Sequence, residues 1–150
     1  MQAHFRAGTL ANLAIFLPLM RAFYAEDRHP FDESKARSAL AELLEDSRWG
    51  LAWLIAVEGT LAGYVVLTFG YSLEFGGRDA TLDELYLREA YRGKGIGKQA
   101  LDHVIYVCRE HGIQALHLEV EAHNRRAHAI YRVMGFAEDD STLMTKVLSE

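Results

Sequence analysis

Cysteine occurs once in this 150-residue chain and proline twice. A lone thiol excludes a disulfide framework and a cysteine-based metal site. Cys108 falls in the helical spacing Leu101, Val104, Ile105, Cys108, which makes it a small buried apolar residue rather than a nucleophile. Long apolar runs are lacking as well. The stretch Leu13 to Met20 is too short to span a bilayer, and no basic leader or small-residue cleavage site accompanies it, so cytoplasmic residence is expected. Basic charge is in deficit: 16 Lys and Arg against 21 Asp and Glu give a net charge of -5, which argues against nucleic acid or an anionic membrane as the main partner. His103, His111 and His128 lie on predicted helices at no ligand-like spacing; they read as surface or capping residues, and no metal is expected. Repeats, low-complexity tracts and linkers are absent. Half of the residues are hydrophobic, which suits one domain, 1–150, with a real core.

What is present has the rhythm of an α/β chain. His4 to Thr9 suits a first strand. Leu10 to about Tyr24 suits a helix with Leu13, Phe16, Leu17, Met20 and Phe23 on one side, which Pro18 should kink or interrupt. After a polar loop, Asp32 or Ser34 can cap a second helix running through Leu44. Leu51 to Val57 and Leu61 to Phe69 form a predicted hairpin about Glu58-Gly59-Thr60, and Gly76-Gly77 turns the chain into a strand through Leu85. A helix from Lys98 to about His111 follows, then a strand-like Leu116 to Glu121, a short helix after Asn124, and terminal strands around Phe136 and Leu143 to Leu148. This order implies a mixed sheet with helices on both faces.

The most informative stretch is Leu82 to Leu101, where an apolar strand passes through Arg92-Gly93-Lys94-Gly95-Ile96-Gly97 into a helix. Glycines there permit positive φ and close approach of the backbone to a ligand. Free N–H groups at a helix start favour a phosphate or pyrophosphate, and Arg92, Lys94 and Lys98 add mobile positive charge. A nucleotide P-loop is excluded, because Gln99 stands where a Ser or Thr would hold magnesium and no glycine precedes Gly97 by five positions. A dinucleotide fingerprint is excluded too, since Lys98 occupies the place of its third glycine.

The pattern Arg92, Gly95, Gly97 resembles motif A of the GNAT N-acetyltransferases, and Asn124, Ala127, Tyr131, Gly135 and Phe136 resemble the family's motif B at the family's distance. Asn124 is also a good helix N-cap and Gly135 a good helix stop on local physics alone. The chain is thereby identified as a member of that family. The resemblance implies an α/β fold with a central, mostly antiparallel mixed sheet flanked by helices on both faces. It implies acetyl-CoA as co-substrate: Leu85, Tyr86 and Leu87 hold the acetyl and pantetheine groups, and Arg92, Gly93, Lys94, Gly95, Ile96, Gly97 and Lys98 wrap the pyrophosphate. Asn124 and Ala127 form the far wall, and Tyr131 faces the sulfur.

Acetyl transfer needs a neutral amine. Deprotonating an alkyl amine of pKa about 10.4 costs about 4.6 kcal/mol at pH 7, and a carboxylate can take that proton directly or through water. Asp83 and Glu84 are the candidates. On a regular strand they point to opposite faces, Asp83 with Leu85 and Leu87 and Glu84 with Tyr86. Asp83 matches the register at which the family's polyamine acetyltransferases carry an acid. The family's tyrosine is usually described as a general acid, but a phenol near pKa 10 protonates a thiolate of pKa about 8.5 only uphill, by about 2 kcal/mol, so Tyr131 is read as a hydrogen-bond donor to the sulfur. Glu119 and Glu121, with His117 and His123 nearby, read as one polar strand face.

The resemblance places the acceptor pocket at Tyr24 to Asp32 and Tyr71 to Asp79, where Glu26, Asp27, Asp32, Glu74 and Asp79 and the rings of Tyr24, Phe31, Tyr71 and Phe75 suit a small cationic or polyamine-like amine. Arg78 offers the alternative of holding a substrate carboxylate. Two rival readings are a protein or peptide N-acetyltransferase and a non-catalytic acyl-CoA-binding regulatory module. The acceptor's identity, the acyl-chain preference, the choice between Asp83 and Glu84 as base and the oligomeric state, a homodimer included, stay open.

Overall fold

A computed structural model describes residues 1–149. By internal contacts the chain divides into two compact units, Met1–Leu118 and Glu119–Glu150. The first contains β1 (Ala3–Ala7), α1 (Leu13–Glu26), α2 (Glu33–Glu45), β2 (Gly50–Val57), β3 (Thr60–Ser72), β4 (Gly77–Leu87), α3 (Ile96–Glu110) and β5 (Ala115–His117). The second contains α4 (Arg125–Val133).

The sheet runs in chain order from β1 to β5, antiparallel except for the parallel pair of β4 and β5. Alternation along the strands separates two cores. Trp53, Ile55, Val57, Val65 and Leu67 pack with Ile96, Ala100, Val104 and Cys108 of α3. Ala52, Leu54, Tyr64 and Val66 pack with Phe16, Leu17 and Met20 of α1 and Leu40 of α2. Helices therefore cover both faces, as the sequence implies, and Cys108 is the buried filler expected of it. Among the described residues no helix is long and apolar enough to cross a membrane.

Local chemistry accounts for most element ends. The Asp32 carboxylate accepts from the Lys35 amide at 3.1 Å and caps α2, while Glu58 and Gly59, both at positive φ, close the hairpin of β2 and β3. Pro18 does not interrupt α1, which runs through it. The ring forfeits one hydrogen bond, at a cost of about 3 kcal/mol. Burial of Phe16, Leu17, Leu19 and Met20 offsets this at roughly 1.5–3 kcal/mol per side chain.

Three expectations are corrected. The strand predicted over Leu116 to Glu121 is confined to Ala115–His117, because its pairing with β4 ends at Thr81, just before β4 bulges and bends. The terminal strands at Phe136 and Leu143 to Leu148 are not formed: after Val133 the described residues carry no strand, and Leu143, Met144, Val147 and Leu148 are exposed. A single extended segment without a ladder partner gains no strand stability from its sequence. His103 is no surface or capping residue; its ring stacks on Phe5 at 4.5 Å and meets Trp53 edge-on at 4.9 Å.

Candidate active site

The decisive local feature is a bulge in β4. Val66 pairs with Glu84 and Leu67 with Leu82, so Asp83 is an extra residue opposite β3. The bulge resets the alternation: Leu82, Leu85 and Leu87 all pack on the α3 side, and Tyr86 packs on the other. Asp83 does not share a face with Leu85, as regular alternation predicts. Both acids line a single cavity on the α1–α2 side of the sheet. That correction joins the acid pair into one site.

The cavity has a volume of about 450 Å3. Tyr24, Pro30, Phe31 and Asp32 line it from the end of α1 and the following loop, Lys35, Ala39 and Leu43 from α2, and Val66 from β3. Of the two segments expected to build an acceptor pocket, Tyr24 to Asp32 contributes to this cavity and Tyr71 to Asp79 does not. Tyr71 is 72% exposed, and Asp79 binds the imidazole of His117 at 3.0 Å. Glu26 is also diverted, as described below.

Glu84 sits where the cavity meets the core. Its Oε2 accepts from the Tyr24 hydroxyl at 2.5 Å and its Oε1 from the Tyr64 hydroxyl at 2.6 Å. Burial pushes its carboxyl above the usual carboxylate range, the two phenols pull it back, and the Asp83 charge raises it again. Burial and the same carboxylate drive both phenols upward, so they stay protonated and donate. The result is a half-buried carboxyl, oriented on both oxygens, that titrates above the usual carboxylate range. Tyr64 was not singled out by sequence reading, although a polar aromatic alternating with apolar residues on a buried strand face calls for a hydrogen-bond partner.

The glycine turn behaves as a donor set with its own tether. Gly93 and Gly95 adopt φ of 71° and 82°, and Gly95 is the N-cap of α3 without a side-chain cap. Among the described residues, the amides from Gly93 to Lys98 donate to no backbone carbonyl outside the helix, and the helix supplies none at its first turn. A β-carbon placed on Gly93 or Gly95 would meet nothing within 4 Å, so the space above these amides is open. Lys94 is exposed, and Lys98 pairs with Asp102 at 2.9 Å.

Arg92 does not supply mobile charge. Its guanidinium binds Glu26 at 2.7 Å and the Leu87 carbonyl at 2.9 Å, and lies 5.6 Å from the centroid of the Tyr86 ring. The Tyr86 hydroxyl donates to the second oxygen of Glu26 at 2.9 Å. Arg92 and Tyr86 hold the Glu26 carboxyl below its usual range. The arginine thus ties the turn to the end of β4 and to α1. Beside it, β4 from Leu82 to Leu87 is laddered to β3 alone among the described strands, since β5 stops at Thr81.

In the second unit Asn124 caps α4 by accepting from the Ala127 amide at 3.1 Å, as predicted. Gly135 ends the helix at a φ of 98°, with its amide on the Arg132 carbonyl and the Phe136 amide on the Tyr131 carbonyl. This is the Schellman pattern, and its customary apolar contact is made by the Tyr131 and Phe136 rings, edge to face at 5.9 Å. The Gly-Phe pair therefore fixes the tyrosine ring. Burial raises the Tyr131 phenol above its ordinary value, so the hydroxyl stays protonated and is a poorer acid.

Known proteins resemble this chain in sequence and in fold. A model of the acetyltransferase (GNAT) family matches residues 17–136. The uncharacterised N-acetyltransferase YycN of Bacillus subtilis is 40% identical over 70 residues, covering 47% of this chain and 45% of that protein. The bovine thialysine N-epsilon-acetyltransferase is 35% identical over 75 residues, covering 50% of this chain and 44% of that protein. The chain thus matches less than half the length of these curated relatives. Among solved structures, an integron cassette protein from the mobile metagenome of Cole Harbour Salt Marsh superposes with a TM-score of 0.85 at 32% identity, over 97% of this chain and 91% of that one.

Proposed function

The chain belongs to the acetyltransferase (GNAT) family, and from that premise we propose that it transfers an acetyl group from acetyl-CoA directly to the amine of a small molecule. The observation that carries the reading is Glu84, a carboxylate oriented by two phenols at the floor of a cavity. The family match runs across both compact units, which supports treating residues 1–150 as one catalytic domain.

The residues present fit acetyl-CoA. The amides from Gly93 to Lys98, with Lys94 and Lys98 beside them, have the chemistry of a pyrophosphate cradle facing open space. The backbone of Leu85, Tyr86 and Leu87 lies on the part of β4 that β5 leaves uncovered, where an amide-bearing pantetheine arm finds peptide partners. Arg92 holds that edge and the turn together through Leu87 and Glu26. Asn124 and Ala127 are assigned to the far wall and Tyr131 to the sulfur. When bound, acetyl-CoA supplies an acetyl thioester whose carbonyl carbon accepts the amine and whose sulfur leaves as thiolate.

Glu84 takes the proton of the acceptor ammonium on its free lone pairs, directly or through one water, while Tyr24 and Tyr64 keep the carboxylate aimed. Asp83, exposed on the same bulge, supplies a second negative charge that draws the ammonium in. Tyr131 donates to the departing sulfur. No covalent bond to the protein is needed.

Among the relatives is also the ribosomal protein bS18-alanine N-acetyltransferase of Escherichia coli, 37% identical over 60 residues, covering 40% of each chain. A cavity of this size favours a small acceptor over a peptide. An amine panel incubated with acetyl-CoA and read by free thiol release tests the proposal. Turnover with a small amine supports it, turnover with peptides alone overturns the acceptor class, and CoA binding without any turnover identifies a non-catalytic module.

A further inference from the structure

The cavity that holds the acid pair is unevenly built. Its negative groups at the β4 end are Asp83 and Glu84, while Met20, Ala39, Leu40, Leu43 and Val66 present hydrocarbon along the walls. Tyr24 and Phe31 form an edge-to-face pair at 5.3 Å, and the Arg21 guanidinium lies 5.3 Å from the centroid of the Phe31 ring. Arg21 is itself held by Glu33. The aromatic wall is therefore braced from α1 and α2. Lys35, in the first turn of α2, also lines the cavity and adds a cation to its lining. Asp32, the remaining acid of the lining, is engaged as the cap of α2 through the Lys35 amide.

We infer that the acceptor is a primary monoamine with an apolar alkyl or arylalkyl body, not a polyamine and not a peptide. This rests on the acetyl-transfer reading given above and narrows its substrate class. The amine of such a molecule sits at Asp83 and Glu84 and its hydrocarbon fills the space between α1 and α2. A polyamine bound by the same end would carry its next ammonium along walls that are mainly hydrocarbon, where the other charged lining residues are Lys35 and Asp32, the latter held to the Lys35 amide, and an ammonium set against hydrocarbon is disfavoured unless it is paired. A peptide would bring backbone amides to walls that offer few polar partners. The apolar walls also help the chemistry, since desolvation favours the neutral, nucleophilic form of the amine over the ammonium.

The test compares 2-phenylethylamine and n-hexylamine with spermidine and an alanine-initiated peptide, each with acetyl-CoA and each read as kcat/KM from thiol release. The monoamines should exceed spermidine and the peptide by about 100-fold or more. Ala39→Glu, at an exposed helix position that lines the cavity, should raise spermidine relative to 2-phenylethylamine by roughly tenfold, because it sets a partner charge on the hydrocarbon wall. A preference for spermidine or the peptide in the parent protein overturns the inference and leaves acetyl transfer standing. So does an Ala39→Glu variant, folded by circular dichroism, with an unchanged ratio. Absence of thiol release with every amine, despite CoA binding, overturns acetyl transfer itself and the inference with it.

Discussion

Tyr64→Phe isolates the electrostatics of the proposed base, because it removes a single hydroxyl and keeps a fully buried ring. Phe16, Phe23 and Tyr86 still surround that ring at centroid distances of 6.0, 6.4 and 6.2 Å, and Tyr24 still donates to Oε2 of Glu84. Only the 2.6 Å bond to Oε1 is lost. A hydrogen bond to a charged group contributes about 1.5–3 kcal/mol. At about 1.36 kcal/mol per unit, its loss should move the pKa of Glu84 upward by roughly 1 to 2 pH units. The direction follows from the donor: a phenol stabilises the carboxylate and not the acid, so removing it favours protonation. Below its pKa the base is protonated and idle. The acid limb of kcat/KM should therefore move to higher pH by that amount, with the plateau retained. Stability moves with it. Burial already raises the folded-state value of Glu84 above the unfolded one, so its contribution is fully present below the unfolded pKa and is lost as pH rises through the folded pKa. The melting difference between parent and variant should accordingly widen toward alkaline pH. A folded variant whose acid limb stays in place would refute the assignment of Glu84 as the titrating base.

Three further outcomes are expected. Glu84→Gln should depress turnover more near pH 7 than near pH 9.5, where the amine needs less help, and Asp83→Asn should act mainly on KM; alkaline rescue seen for Asp83→Asn and not for Glu84→Gln would transfer the role of base to Asp83. Gly95→Asp forces a side chain onto a residue at a φ of 82° and sets a negative charge at the start of α3, so CoA affinity measured by calorimetry should fall roughly 5- to 30-fold, from about 1–2 kcal/mol. An unchanged affinity would remove the turn from the binding site. Tyr131→Phe keeps the contact with Phe136 and removes the donor, so single-turnover rates should slow about 10- to 160-fold while CoA binding persists; parent-like rates would leave Tyr131 a packing residue.

Much of the fold was legible because short-range chemistry specifies it. The period of Phe16, Leu17 and Met20, the cap at Asp32, the positive-φ turn at Gly59 and the Asn124 to Gly135 bounds of α4 are properties of neighbouring residues. The glycines at 93, 95 and 97 likewise announce a donor-rich helix start in the sequence itself. What tertiary structure alone decided is long-range pairing. The bulge that turns Asp83 and Glu84 into one cavity arises where β4 is laddered on β3, and no local pattern marks the lost register. Tyr64 becomes a partner of Glu84 only when β3 pairs with β4, and Tyr24 only when α1 packs on the sheet. Arg92 reads as a free charge in sequence and becomes a tether once α1 brings Glu26 beside it. Residue type and spacing determined which chemistry the chain carries. Strand register and helix packing determined which groups share a solvent-poor space, and hydrogen bonding and pKa depend on that proximity, not on sequence order.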